Sequence, residues 1–290
     1  MSIQIHGVTA LDPAQLDAMR ALEERTVAAD GGRLKLEWGS IESGGVKVAV
    51  LAYEQDELVS SSRAGSSLIG YVGRYQFGDG TPELAGMVDP AARRRGVGAM
   101  LLETMLAACA ELGDANVLLV VPRASLDGSS LALARGVFDH SEHALSLTGG
   151  PGGAAPHPEL ELRPCIAGEF DRISELVEEG FGHPARPSNN PEFTHVVVKD
   201  GAIIGTIRLI PEGAHGPGVG YVGGFAITAE HRGKGYGRDI LRRSVLDLRA
   251  RGAESVGLEV ATDNDNAVGL YASLGFRPVT TEDYYRLPTG

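Results

Sequence analysis

Apolar and polar residues alternate along some stretches of this chain and recur at helical spacing along others, and the order of the two patterns sketches its elements. Residues 3–8 alternate as a short strand, and Asp12-Pro13 then offers a helix start for an amphipathic run through about Ala29. Val46, Val48 and Val50 share one face of a strand predicted over Val46–Tyr53. A polar loop over Ser60–Ser67 leads to a partner strand over Leu68–Phe77, and Gly78-Asp-Gly-Thr-Pro82 reads as a turn. Glu83–Val88 is the next strand, and Arg93-Arg-Arg-Gly96-Val-Gly98 opens a helix carrying Leu101, Leu102, Met105, Leu106 and Cys109.

The second half repeats this plan. Leu160 and Leu162 alternate in a strand, and Gly168–Gly180 makes a helix with Phe170, Ile173, Leu176 and Val177 inward. Phe181–Pro191 holds three prolines and is irregular. Thr194–Lys199, the Asp200-Gly201 turn and Ala202–Pro211 read as a hairpin, and Glu212–Gly218 connects it to a strand ending at Thr228. Arg232-Gly-Lys-Gly235-Tyr-Gly237 then opens a helix with Ile240, Leu241, Val245 and Leu248 at helical spacing. A strand around Leu258-Glu259-Val260, a helix, and strands near Pro278–Thr281 and Tyr284–Leu287 finish the chain.

Arg93 and Arg232 stand 139 residues apart, so the repeat is about one domain long. Between the halves, Thr148–Pro158 is rich in Gly, Pro and Ala and lacks apolar periodicity, as a linker does. The expected boundaries are therefore 1–147, a linker at 148–158, and 159–290. Aligning Gly136 with Gly275 puts Ala132 where Tyr271 stands and Asp127 where Asn266 stands, so the first copy lacks the phenol. That copy reads either as a degenerate binding or scaffolding domain, or as one kept for packing.

Composition narrows the picture. With 43% hydrophobic residues in 290, the chain can bury ordinary cores. A formal charge of −12 argues against a general nucleic-acid binder, while a cationic amine substrate would suit such a field. Cys109 and Cys165 make neither a metal spacing nor a disulfide framework, so no metal is expected. The first residues lack a basic segment followed by an apolar run, and no segment approaches a membrane span. The expectation is a cytoplasmic protein without a membrane or nucleic-acid partner, monomeric or homodimeric.

A glycine-rich loop between a strand and a helix makes an anion site. The first helical turn has backbone N–H groups without intrahelical partners, and the macrodipole adds roughly half a positive charge there. Gly233, Gly235 and Gly237 let the backbone approach a ligand, which fits a phosphate or pyrophosphate. Gly223-Gly224 inside the preceding strand suits a bulge or a close backbone approach.

Arg232-x-x-Gly235-x-Gly237, followed by Leu258-Glu259-Val260 and by Asn266-x4-Tyr271-x3-Gly275-Phe276, resembles the GCN5-related N-acetyltransferase (GNAT) superfamily in both of its best-known motifs and in their order. The resemblance implies an α/β fold of two tandem domains, each a mixed, mostly antiparallel central sheet flanked by helices with one splayed strand pair. It implies acetyl-CoA as co-substrate, with the pantetheine arm lying between the splayed strands. The acceptor would be the primary amine of a small molecule or a peptide N-terminus.

Carried over residue by residue, Arg232, Gly233, Lys234, Gly235, Tyr236 and Gly237 would hold the pyrophosphate, and a backbone N–H within Phe225, Ala226 and Ile227 would meet the oxyanion. Asn266 would pair with the pantetheine arm or cap the last helix. Tyr271 is the candidate acid for the departing thiolate, or else a packing residue of that helix. Glu259 lies twelve residues before Tyr271, in a context similar to the ribosomal-protein N-terminal alanine acetyltransferases, and is the candidate base; a plain solvated glutamate is its alternative. Val88, Arg93, Arg94, Arg95, Gly96 and Gly98 are the matching cofactor contacts of the first copy. His183 and Arg186, on the connection that borders the acceptor pocket in this fold, are candidates for substrate contact or simply solvated. One tandem subfamily, which the chain resembles in its two copies, its length and an active second copy, usually carries a carboxylate early in the central strand, where this chain has Tyr221. By position, Glu83 matches Val222. A non-catalytic acyl-CoA-binding sensor or interaction module is the competing expectation.

Overall fold

The structure, a computed structural model, describes residues 2–55, 66–77, 80–182, 191–213, 216 and 218–290. The first half of the chain runs β1 (Ser2–Val8), α1 (Pro13–Asp30), α2 (Trp38–Glu42), β2 (Ala49–Gln55), β3 (Ser66–Tyr75), β4 (Glu83–Val88), α3 (Val97–Glu111), β5 (Asn116–Pro122) and α4 (Leu126–Leu133), followed by β6 (Val137–Leu147). The second runs β7 (Leu160–Pro164), α5 (Phe170–Phe181), β8 (Thr194–Lys199), β9 (Ala202–Ile210), β10 (Val219–Ile227), α6 (Tyr236–Ala250), β11 (Ser255–Ala261), α7 (Asp265–Leu274) and β12 (Arg277–Pro288).

Contact groups the chain into two compact units, Met1–Ser141 with Thr280–Gly290, and Glu142–Val279. This grouping differs from the boundaries 1–147, 148–158 and 159–290, because the last strand of each half is exchanged. In the first unit the strand order is β1-β2-β3-β4-β5-β12, and Glu282–Pro288 at the end of the chain pairs antiparallel with Pro122–Asn116. In the second it is β6-β11-β10-β9-β8-β7, with Glu142–Leu147 pairing antiparallel with Ala261–Val256. Each sheet is antiparallel except at one pair, β4 with β5 and β10 with β11. The two strands expected near 278–281 and 284–287 are one continuous strand.

Local chemistry accounts for the elements. Asp12 caps α1 in a capping box with Gln15, and Pro13 supplies a preset φ at the first helical position. Asp200 and Gly201 have φ of 50° and 80°, the doubly positive pair that a two-residue hairpin turn requires between β8 and β9. The short helix α2 has no side-chain cap and escapes a reading by pattern.

Amphipathic helices cover one face of each sheet. Leu101, Leu102 and Met105 of α3 pack on Val50, Val72, Leu84 and Leu119. In the second unit Leu241, Val245 and Leu248 of α6 and Tyr271 and Leu274 of α7 share a core with Ile207, Leu209, Val222, Val256, Leu258 and Val260. The opposite face of that sheet meets α5, which packs on β9 and β10. Among the described residues no helix is long and apolar enough to cross a membrane, and no His, Cys, Asp and Glu cluster is arranged for a metal ion.

Candidate active site

The chemistry-bearing part of the second unit begins where two strands part. β10 and β11 pair in parallel at Val219, Gly220 and Tyr221 against Ser255, Val256 and Gly257, and the pairing ends there. Two residues further on, β10 also breaks step with its other neighbour: Gly223 faces Arg208 and Ala226 faces Thr206, so β10 carries one extra residue. This is the bulge that Gly223-Gly224 suggested. Gly224 takes φ of 54°, which a side chain adopts only under strain. Gly224 and Phe225 have no register partner in β9, so backbone groups there are released from the ladder.

The register also corrects one correspondence between the halves. Glu83 faces Leu118 in the first unit, and Tyr221 faces Gly257 in the second. Because of the bulge, the counterpart of Glu83 is Tyr221 rather than Val222. β4 pairs with β3 without a register break from Glu83 to Val88. The bulge is a property of the second copy.

After β10, a single 3-10 turn over Ala229–His231 leads into the glycine loop. Glu179 at the end of α5 accepts from the Ala229 N–H at 2.7 Å. Arg232 donates through Nε to the Ile227 carbonyl at 2.7 Å and stands 3.8 Å from Glu179, so its guanidinium braces the end of β10. Gly233 and Gly235 have φ of 73° and 85°, and Gly235 is the residue before the first turn of α6. A Cβ on Gly237 would stand 3.6 Å from both Phe225 and Leu270, which measures how closely β10, α6 and α7 approach. Lys234 is exposed beside them, whereas Tyr236 is buried and anchors the loop.

His157, inside the segment expected as a linker, lies against this loop. Its Nε2 is 3.0 Å from where a Cβ of Gly235 would stand, and its ring meets Tyr236 edge-on. The buried Asp239 carboxylate accepts from the His157 backbone N–H, and Arg243 donates to the His157 carbonyl. Nothing in the composition of that glycine- and proline-rich stretch signals this docking, because it is made largely by the backbone N–H and carbonyl of His157 with two distant side chains, Asp239 and Arg243.

Tyr271 is buried in α7, edge-on to Phe276, and burial pushes its phenol up to about 12. It lies on the α6 side of the sheet with Leu258 and Val260. Glu259 alternates with those residues and is half-buried on the opposite face, where a Cβ on Gly257 would stand 3.4 Å from the Tyr221 ring. The two candidate catalytic side chains therefore lie on opposite faces of β11, on either side of the gap where β10 and β11 separate. Asn266 does not cap α7: Asn264 does, accepting from the Ala267 N–H at 3.1 Å, while Asn266 is exposed within the first turn. His183 and Arg186 lie outside the described residues.

In the first unit the matching loop leads into α3 through Gly96, φ 83°. Arg93 donates to the Val88 carbonyl as Arg232 does to Ile227, and its two terminal nitrogens pair with Asp30. Arg94 pairs with Asp127 and Arg95 with Glu54, so all three arginines are held by carboxylates. Beside the loop is a cavity of about 760 Å³, lined among others by Met87, Val88, Gly96, Gly98, Val121 and Leu126. Ala132 is buried in α4, in the place of the phenol.

The acetyltransferase (GNAT) family matches residues 22–130 and again 163–276. The chain belongs to that family. It is an acetyltransferase built of two GNAT copies. A mycothiol acetyltransferase of Geodermatophilus obscurus is 28% identical over 94% of both chains. One from Clavibacter michiganensis is 30% identical over 72% of this chain and 73% of its own. Among solved structures, a GCN5-related N-acetyltransferase from Sphaerobacter thermophilus superposes with a TM-score of 0.74 at 20% identity, covering 98% of this chain and 96% of that one. A tandem GNAT protein from the clavulanic acid biosynthesis pathway has a TM-score of 0.67 at 16% identity over 100% and 99%. Both are similar in fold.

Proposed function

We propose that the second unit transfers an acetyl group from acetyl-CoA to the primary amine of a small-molecule acceptor. The observation that carries this reading is the bulge at Gly224, set beside the parting of β10 and β11 and missing from the first unit. It frees backbone donors of Gly224 and Phe225 at the place where a thioester carbonyl would lie along β10, which suits a developing oxyanion. The pyrophosphate would sit at the Gly233–Gly237 loop on the free N–H groups of α6, with Lys234 alongside. Arg232 would serve that loop by bracing β10 rather than by touching phosphate, and Asn266 is left with the pantetheine role.

The neutral amine attacks the thioester carbon; a C–N bond forms and the C–S bond breaks. Glu259, directly or through a water, takes the amine proton, and Tyr271 gives its proton to the departing thiolate. Burial keeps the phenol protonated at neutral pH, the form an acid requires. The relatives are named mycothiol acetyltransferase, but Tyr221 stands where a carboxylate was expected, which leaves the acceptor open to other small amines.

Release of free CoA thiol from acetyl-CoA tests the reading. The acceptors are cysteinyl-glucosaminyl-inositol, polyamines, aminoglycosides, alanine- or serine-starting peptides and free amino acids such as L-serine. Turnover with one class supports it; silence across the panel with CoA bound favours a non-catalytic binding module. The cavity beside Gly96 favours a second reading for the first unit alone, in which it binds a CoA without chemistry.

A further inference from the structure

The face of the second unit opposite α6 carries a cation that the transfer reaction does not use. Arg208 of β9 faces Gly223 across the ladder, and Tyr221 lies two residues before Gly223 on the same face. Its side chain lies over the bulge, with Cδ 3.5 Å and Cγ 3.7 Å from where a Cβ of Gly224 would stand. The Arg208 Nε is buried and has no hydrogen-bond partner among the described residues, and the guanidinium enters no ion pair with them. Burial lowers its affinity for a proton, and only the charges of Tyr221 and Glu192 act against that. A half-buried guanidinium whose Nε is buried without a partner is costly, and an anionic oxygen from outside the chain would relieve it.

Register sets Arg208 level with Glu259. The last β10–β11 pair is Tyr221 with Gly257; Glu259 is two residues beyond it on β11, and Arg208 faces the residue two beyond it on β10. Paired strands stand roughly 4.8 Å apart, so the β9 and β11 backbones are at least about 10 Å apart here. Arg208 lies over the bulge and Glu259 is on the same face of the sheet beyond it, one positive and one negative. Resting on the amine-acetylation reading, we infer that Arg208 binds a carboxylate of the acceptor while its amine points to Glu259, so that the acceptor is a small amine bearing a carboxylate a carbon or two away. Arg suits this task because its planar fork matches a carboxylate in two hydrogen bonds.

Three amines that differ at one group, L-serine, L-serinamide and ethanolamine, test the inference on the full chain and on Arg208→Gln and Arg208→Lys. Acetylation is followed by thiol release, and binding of each amine to the CoA-loaded protein by calorimetry. The expected kcat/KM for L-serine exceeds that for ethanolamine by roughly 10- to 100-fold, the ratio one charged hydrogen bond supplies. Arg208→Gln should level the two and Arg208→Lys should restore part of the difference, with KM for acetyl-CoA unchanged in both. Equal use of all three amines by the parent, or a preference that survives in Arg208→Gln, overturns the inference. If no amine is acetylated, the transfer reading fails, and calorimetry still decides this site. L-serine binding that Arg208→Gln abolishes supports the site, and binding that is absent or unaltered overturns it.

Discussion

Tyr271 has the clearest single-residue consequences. As the acid it should carry about a hundredfold in kcat, so Tyr271→Phe is expected to lose roughly that factor while CoA affinity, measured by calorimetry, stays close to the parent. Its phenol titrates at about 12 in the folded chain against 10.0 for the free group. Between those values the unfolded state binds fewer protons than the native one, so the phenol's contribution is intact below about pH 10 and is lost as pH rises toward 12. Tyr271→Phe should therefore lose less stability than the parent between about pH 9 and 11 in matched denaturant titrations. This residue was legible in the sequence because its motif spacing is local, five positions from Asn266 and four from Gly275. Arg208 was not legible: only the register across two strands brings it beside the bulge.

At the scale of elements, short signals were read well where the chemistry is local and less well where two candidates compete. The sequence pointed to Asn266 as a cap of the last helix, whereas the helix starts at Asp265 and Asn264 caps it. Asn264→Ala is expected to cost about 1 kcal/mol of stability in urea unfolding, and Asn266→Ala a few tenths at most. The glycine loop separates two effects in the same way. A Cβ on Gly233 meets nothing, so Gly233→Ala should cost roughly 1 kcal/mol through its positive φ alone. Gly235→Ala adds a contact with the His157 ring and should destabilise more, with a rise in KM for acetyl-CoA that Gly233→Ala shows to a lesser degree.

For the whole molecule, the exchange of last strands makes each unit depend on the far half of the sequence. Tyr285 and Leu287 fill the first unit's core, and Tyr284 packs on Leu118 and Val120. Deleting Thr280–Gly290 removes three buried apolar side chains, each worth roughly 1.5–3 kcal/mol, from a unit that otherwise ends at Ser141. Thermal unfolding of that truncation should show the loss, and residues 1–147 expressed alone should fail to give a cooperative transition. The repeat, the glycine loops, the helix faces and the phenol could be read from the chain alone, because each follows from residue types at fixed short spacings. Which strand completes which unit, which residue of β10 answers Glu83, and which charge lies over the bulge are settled only once the chain is packed. Alternation tells a strand which side to bury, but the backbone groups that pair strands are the same in every residue, so the choice of partner is made by the packed whole.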